Sequence, residues 1–158
     1  MCVKQLWVVI KNQPGKIEKV VQLLGDANIN LLALCVADAA KEGFLRLLVD
    51  NNDLANKVLY DYKKVLHDYG ENLEFGFNPV TAVKIDNGPG SLARILALLR
   101  GSKVNLEYMY TMGEPKVSTK PIMIFRFNDT DTDTALNILE KNGIHVLTED
   151  ELLNPNKQ

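Results

Sequence analysis

The octapeptide Val8-Val-Ile-Lys-Asn-Gln-Pro-Gly15 recurs 75 residues later as Val83-Lys-Ile-Asp-Asn-Gly-Pro-Gly90. The match continues without a gap, and nine of the 24 positions in 8–31 are identical to those in 83–106. Unrelated segments of this length share only about one or two residues, and here most mismatches also keep the physical type of the side chain. The chain therefore contains a duplicated unit.

Each copy opens with a strand that is followed by a helix. Leu6, Val8 and Ile10 alternate with other residues, as on the buried face of a strand. Trp7 and Val9 then lie on the opposite face, where they offer a partner surface. The Asn-x-Pro-Gly segment ends the strand, and apolar residues at helical spacing follow it, so we expect them to face the sheet. These residues are Ile17, Val20, Val21 and Leu24 in the first copy and Leu92, Ile95, Leu96 and Leu99 in the second.

The rest of each copy predicts two strands, a second helix and a closing strand. These elements cover 30–37, 44–50, a helix ending near His67 and 73–77 in the first copy, and 105–112, 121–127, a helix ending near Asn142 and 145–148 in the second. Candidate N-caps of the second helices are Asp53 and a residue within 130–133. The order β-α-β-β-α-β is the ferredoxin-like pattern.

The sequence therefore predicts an α+β protein of two ferredoxin-like units packed side by side. Each unit is expected to be an antiparallel sheet with its helices on one face. The first unit covers 1–77, the second covers 78–150, and 151–158 form a polar C-terminal tail. The units meet at Asn78-Pro79 with almost no linker, so we expect rigid packing between them.

Composition and charge exclude several classes of protein. The 158 residues include 18 Lys and Arg, 20 Asp and Glu and 46% hydrophobic residues, with a net charge of −2. This balance is ordinary for a soluble globular protein and lacks the basic excess of a nucleic-acid binder. The apolar run 6–10 is too short for a membrane span or a signal peptide, so we expect a cytoplasmic protein.

Reactive and metal-binding residues are sparse. Cys2 and Cys35 cannot form a disulfide framework or a four-ligand zinc site. His67 and His145 have no further Cys or His cluster beside them, and no spacing of Ser, Cys, His and Asp indicates a catalytic nucleophile. We therefore expect no metal, no cofactor and no enzymatic activity.

The duplicated segments resemble the ACT domain. That family carries (Asp/Asn)-x-Pro-Gly-x-(Leu/Ile) between its first strand and first helix, and Gly/Ala-x-(Ile/Val)-(Asn/Asp)-(Ile/Leu) where its second strand opens. The first landmark occurs here in 12–17 and 87–92, and the second in 27–31 and 102–106. The resemblance covers nearly the whole chain, which is similar to a stand-alone tandem ACT protein.

The resemblance implies a regulatory protein that binds a small molecule, usually an amino acid, where two ACT units meet. In ACT domains of the serine-sensing dehydrogenase type, the loop Asn and the Asn that opens the second strand hold the ligand, one from each unit. The corresponding residues here are Asn12, Asn30, Asn87 and Asn105. That type has a His two residues before the loop Asn, where this chain has Ile10 and Ile85, so the identity of the ligand stays open.

The chemistry of these residues suits a zwitterionic ligand. A helix N-terminus offers backbone N–H groups to a carboxylate, and Gly permits a close approach and a positive φ. Asn supplies donors and an acceptor without burying a charge. Lys16 adds a charge in the first copy where Ser91 stands in the second, so the two sites are expected to differ in affinity. The candidate ligand-binding residues are Asn12, Gln13, Pro14, Gly15, Lys16, Asn30 and Leu31, with Asn87, Gly88, Pro89, Gly90, Ser91, Asn105 and Leu106.

Other interpretations of the same residues stay open at the sequence level. Pro-Gly also forms an ordinary type II turn, and Asn30 and Asn105 also serve to cap a strand entry. An RNA-binding module of this topology needs aromatic and basic residues on its central strands, where only Arg46 and Arg126 are basic. A small phosphatase needs a basic anion cradle that the motif loops lack. The main alternative is a structural or interaction protein with degenerate ACT sites that binds no small molecule.

Protein partners follow from the architecture and from the resemblance. A two-layer unit leaves one sheet face or edge without a helix over it, and symmetric closure is the usual remedy, so we expect a homodimer. The resemblance adds a free amino acid as the effector and a metabolic enzyme as a partner.

Overall fold

The computed structural model describes residues 2–39, 42–112 and 120–153. The chain divides into two compact units. We call Lys4–Asn78 the first unit, and Pro79–Gln158 together with Met1–Val3 the second unit. The domain limits proposed from the sequence, 1–77, 78–150 and 151–158, stay predictions.

The first unit is a two-layer arrangement of strands and helices. Its elements are β1 (Val3–Lys11), α1 (Lys16–Asp26), β2 (Leu31–Ala39), β3 (Glu42–Val49), α2 (Asn52–Asp68) and the start of β4 (Glu74–Lys84). Strand β3 is antiparallel to both of its neighbours, β1 and β2, and β4 is the other neighbour of β1. The order β2-β3-β1-β4 is that of a ferredoxin-like fold.

Alternate residues of the central strands face the two helices. Leu6 and Val8 of β1 are fully buried, as predicted, and they share one cluster with the buried residues of α1 and α2. The half-buried Trp7 and Val9 take the opposite face of the pleated strand. Ile17 was expected to face the sheet and is instead 39% exposed, because it lies in the first turn of α1 beside the exposed motif loop.

The second unit repeats this design. Its elements are the rest of β4, α3 (Ser91–Leu99), β5 (Leu106–Met112), β6 (Ile122–Phe127), α4 (Thr132–Lys141), β7 (Val146–Leu147) and α5 (Glu149–Leu153). Strand β6 is antiparallel to β4 and β5, and β7 is antiparallel to β4. Buried residues of the sheet and of α3 and α4 form its core, among them Val83, Ile95, Phe125 and Leu139. The predicted α+β class with two ferredoxin-like units is confirmed.

Two predicted strands are one strand in the structure. The closing strand of the first copy and the opening strand of the second form the continuous strand β4, Glu74–Lys84, so the described residues hold seven strands rather than eight. Pro79 cannot donate a ladder hydrogen bond, and it lies two residues before the stretch Thr81–Lys84 that pairs with β6. The extended backbone that Pro favours therefore continues the strand where the sequence suggests a junction.

One helix N-cap and one additional helix also differ from the expectation. Asn51 caps α2, since its side chain accepts a hydrogen bond from the Leu54 N–H at 3.0 Å, and the predicted cap Asp53 lies inside the first turn. Helix α5 is not anticipated by the sequence analysis, and its Leu152 is only 3% exposed although it falls in the segment assigned to a polar tail. Across the three described ranges, no helix is long and apolar enough to cross a membrane.

Candidate functional site

Each Asn-x-Pro-Gly segment forms a tight turn that leads into a helix. Gly15 and Gly90 have φ of +81° and +80° and ψ of −11° and −3°, the values of the third position of a type II turn. The fourth residue of each turn, Lys16 or Ser91, donates its N–H to the carbonyl of the first residue, at 3.3 and 3.2 Å. Because a positive φ strains a residue that has a Cβ, the turn requires glycine at this position.

The first turn of α3 is suited to an anionic group, whereas the first turn of α1 already carries the carboxylate of Glu18. Neither helix has a side-chain hydrogen bond at its N-cap, which leaves first-turn N–H groups at the positive end of the helix for another acceptor. Asn12 and Asn87 precede the two turns and are exposed. In the second unit an open hollow of about 420 Å³ lies against the loop and is lined in part by Asn87, Gly88, Gly90 and Ser91.

The polar contacts beside the two turns differ between the copies. The Lys16 Nζ donates a hydrogen bond to Glu71 Oε2 at 2.9 Å, and this contact holds the pKa of Glu71 below its ordinary value of 4.5. The corresponding Ser91 is buried, and its Oγ accepts a hydrogen bond from Arg94 Nη2 at 3.0 Å. Sequence reasoning missed Glu71, because it lies 55 residues from Lys16 and no local pattern links the two.

Asn30 and Asn105 precede β2 and β5 and are fixed through their backbones. The Asn30 N–H donates to Asp50 Oδ1, and the Asn105 N–H donates to Asp131 Oδ2, both at 3.0 Å. Their carbonyls accept hydrogen bonds from the Asp50 and Asn128 N–H groups at 3.2 and 3.1 Å. The strand entries are therefore held by backbone contacts with the loop before the second helix, and both Asn residues are exposed.

Asn12 and Asn30 lie at opposite ends of one sheet. Strands β1 and β2 are both antiparallel to β3, so they run parallel to each other. Asn12 follows the end of β1, and that end is level with Ala39, the last residue of β2. Asn30 precedes Leu31, the first residue of β2. The two asparagines are therefore separated by about the length of β2, roughly 25 Å. The corresponding residues of the second unit have the same arrangement. A free amino acid is far too short to contact both positions of one unit.

The guanidinium of Arg126 is engaged in contacts within the protein. It is 5% exposed, and its Nη2 lies 2.7 Å from Asp129 Oδ1 while its Nε lies 3.3 Å from Glu107 Oε2. Its Nη1 donates a hydrogen bond to the Pro79 carbonyl at 3.1 Å. A buried guanidinium with these partners is not available to a phosphate, which weighs against the RNA-binding interpretation.

The fold and its turns define a class of protein, namely paired ferredoxin-like units that each carry an Asn-x-Pro-Gly turn at the start of the first helix. The model of the ACT domain pair family matches residues 1–154, and the chain therefore belongs to the ACT domain pair family. The resemblance seen in the sequence is thereby confirmed. Among the curated proteins, none matches the chain.

Solved structures share this fold over most of the chain. Protein BT0572 from Bacteroides thetaiotaomicron is similar with a TM-score of 0.82 and 29% identity, over 97% of this chain and 96% of that one. The regulatory subunit of aspartate kinase from Thermus thermophilus, in its ligand-free form, has a TM-score of 0.60 and 19% identity, over 87% and 91% of the two chains. The Thermus flavus subunit has a TM-score of 0.57 and 17% identity, over 89% and 93%. The likeness to the two kinase subunits concerns the fold.

Proposed function

We propose that this ACT domain pair is a non-catalytic regulatory protein that binds a free amino acid and acts as an allosteric sensor for a metabolic enzyme. The observation that carries the proposal is the repeated turn. Both copies combine an exposed Asn, a glycine in the left-handed conformation and a helix without a side-chain N-cap. This combination suits a ligand carboxylate, and the same geometry in two distant segments supports a binding role over a chance turn.

The ligand is proposed to draw on two ACT units, from one chain or from two. Its carboxylate accepts hydrogen bonds from the backbone N–H groups that follow Pro14 or Pro89. Its ammonium donates to the side-chain oxygen of Asn30 or Asn105 in a different unit. The roughly 25 Å between the two kinds of Asn within one unit supports this division of roles, since one unit cannot supply both.

Calorimetric titration with the twenty amino acids tests the proposal. Each lost hydrogen bond to a charged group costs about 1.5–3 kcal/mol, so Asn87→Ala and Asn105→Ala are expected to weaken binding roughly ten- to a hundredfold. Asn12→Ala and Asn30→Ala probe the other pair of positions in the same way. The matched control is Asn56→Ala, which removes an exposed Asn from α2 and should bind like the parent.

The alternative of an interaction protein with degenerate sites has its own support. Ile10 and Ile85 replace the His of the serine-sensing type, and Lys16 is engaged by Glu71. If the parent protein binds none of the twenty amino acids, this alternative replaces the proposal. If the parent binds and all four Asn→Ala variants bind equally well, the ligand is correct and the assigned residues are wrong.

A further inference from the structure

The second unit contains a hollow between the end of β4, one side of α3 and the turn after α4. Its volume is about 430 Å³, and its lining includes Ser91, Arg94, Lys120, Ile144 and His145. The hollow at the motif loop extends toward Leu92 and Leu96 on one side of the first turn of α3. The present hollow lies on the other side of that turn. Apart from Ser91, none of the residues that line it is among the candidate ligand-binding residues drawn from the sequence.

The turns after α2 and α4 establish which residues of the two units correspond here. Gly70 and Gly143 have φ of +71° and +73°. The residue after each glycine donates its N–H to a helix carbonyl five residues earlier, at 2.9 and 3.0 Å. Glu71 of the first unit therefore corresponds to Ile144 of the second.

The first unit has the same hollow, and there it is filled. Its volume is about 40 Å³, enough for no more than a few water molecules. The Lys16–Glu71 ion pair occupies the place that Ser91 and Ile144 leave open in the second unit. Tyr62 adds a ring to the lining, whereas the helix position that corresponds to it, counted back from the shared turn, is Ala135.

The space in the second unit suits a small organic ligand. Small-molecule sites commonly have volumes of about 300–1,000 Å³, with an apolar lining and a few polar groups. Ile85, Ile95 and Leu98 supply the apolar part of this lining. The hollow of the first unit falls well below that range, so of these two hollows in the described residues only that of the second unit offers the space.

The charge of the lining selects the kind of ligand. Three cationic side chains line the hollow, those of Lys84, Arg94 and Lys120, against the single carboxylate of Asp86. Asp86 is paired with Lys120 at 2.9 Å, and this hydrogen bond holds the pKa of Asp86 below its ordinary value of 3.8, so it stays ionised. At the rim, His145 Nε2 lies 2.9 Å from Glu151 Oε1. The excess of positive charge in the lining attracts an anion and disfavours an additional ammonium group.

We infer that the hollow of the second unit is a binding site for a small organic carboxylate without an ammonium group, whose carboxylate is held by Arg94 and whose apolar part contacts Ile95 and Ile144. The Arg94 guanidinium already donates to Ser91 Oγ, which orients it at the edge of the hollow. Guanidinium is well matched to a carboxylate because it forms two parallel hydrogen bonds. The site lies on the opposite side of Ser91 from the amino-acid site proposed above, and Ser91 borders both.

Two probes that differ only in an ammonium group test the inference. The probes are 3-methylbutanoate and valine, and binding is followed by the backbone amide NMR signals of Arg94, Ile144 and His145. A ligand of this size is expected to bind with a Kd of about 1 mM. We expect 3-methylbutanoate to shift these signals saturably and valine to bind at least roughly tenfold more weakly at the same place.

Matched variants separate this site from the proposed amino-acid site. Arg94→Ala changes an exposed side chain and is expected to weaken 3-methylbutanoate roughly tenfold or more, whereas Lys19→Ala, at the corresponding position of the first unit, leaves it unchanged. Asn87→Ala should also leave it unchanged, whatever its effect on amino acids. Saturable shifts that Arg94→Ala does not weaken, equal affinity for valine, or no shift of these signals would each overturn the inference.

Discussion

At the scale of single residues, Gly76 carries a packing constraint. A Cβ built at this position would lie 2.7 Å from Cζ2 and 2.9 Å from Cε2 of the Trp7 indole, closer than real Cβ atoms approach. The indole is half-buried on β1, which is the neighbour of β4 in the sheet. It can move away from an added Cβ only if it loses packing contacts. We expect Gly76→Ala to lower the free energy of unfolding by about 1–3 kcal/mol in urea titrations.

Gly25 is the control for this substitution. It lies in α1, and nothing approaches the position of its added Cβ within 4 Å. Because alanine is the better helix former, Gly25→Ala should raise the free energy of unfolding by about 0.5–1 kcal/mol. Equal effects of the two variants would show that the contact with Trp7 does not limit position 76.

At the scale of elements, helix α5 depends on one carboxylate. The Thr148 N–H donates to Glu151 Oε2 at 2.7 Å, and the Glu151 N–H donates to Thr148 Oγ1 at 3.1 Å, which together form a capping box. These contacts with Thr148, and then the contact with His145, hold the pKa of Glu151 below its ordinary value of 4.5. The helix therefore has its full support only when this carboxylate is ionised.

The pH dependence of stability follows from that shift. A depressed carboxyl pKa contributes stability that is present above the ordinary value of 4.5 and is lost as the pH falls through the folded-state value. We expect Glu151→Gln to melt at a lower temperature than the parent at pH 7, and we expect this difference to narrow progressively as the pH falls below 4.5. Glutamine still accepts the Thr148 hydrogen bond, so the variant tests the charge. A gap in melting temperature that does not narrow toward pH 3 would contradict this origin.

At the scale of the whole molecule, β2 ends the strand order of its sheet in the described part of the chain. Leu34 and Val36 of this edge strand are 48% and 45% exposed, although their cross-strand neighbours Leu47 and Leu45 are fully buried. An apolar edge of this kind is stabilised when another strand or chain covers it.

We therefore expect a homodimer at micromolar protein concentration by light scattering. Leu34→Lys should shift the equilibrium toward the monomer, because it places a charge on the exposed edge. Val65→Lys makes the same change at a 51% exposed position of α2 and should leave the dimer intact. A parent protein that stays monomeric above this concentration would contradict the expectation.

Local periodicity was enough to predict the repeated fold. Contacts between residues that are distant in sequence could not be predicted. The helical spacing of apolar residues in α1 and their alternation along β1 each extend over about a dozen residues or fewer. Both elements and their buried faces could therefore be predicted. The Lys16–Glu71 pair joins residues that only the folded chain brings together. The left-handed glycines could be predicted from the Pro-Gly pairs, because a type II turn requires glycine after proline. Strand β4 was predicted as two strands, because a proline such as Pro79 usually marks a break.

Under the proposed assignment of binding residues, the separation of Asn12 from Asn30 lets the concentration dependence of ligand binding report how the site is assembled. A single unit would then offer half of one proposed site at each end of its sheet and a complete site at neither. If the second half comes from another molecule, ligand and assembly are thermodynamically linked, and each strengthens the other by the same factor. If it comes from the same chain, affinity is independent of protein concentration. The shape of a binding curve thus carries information about which asparagines meet.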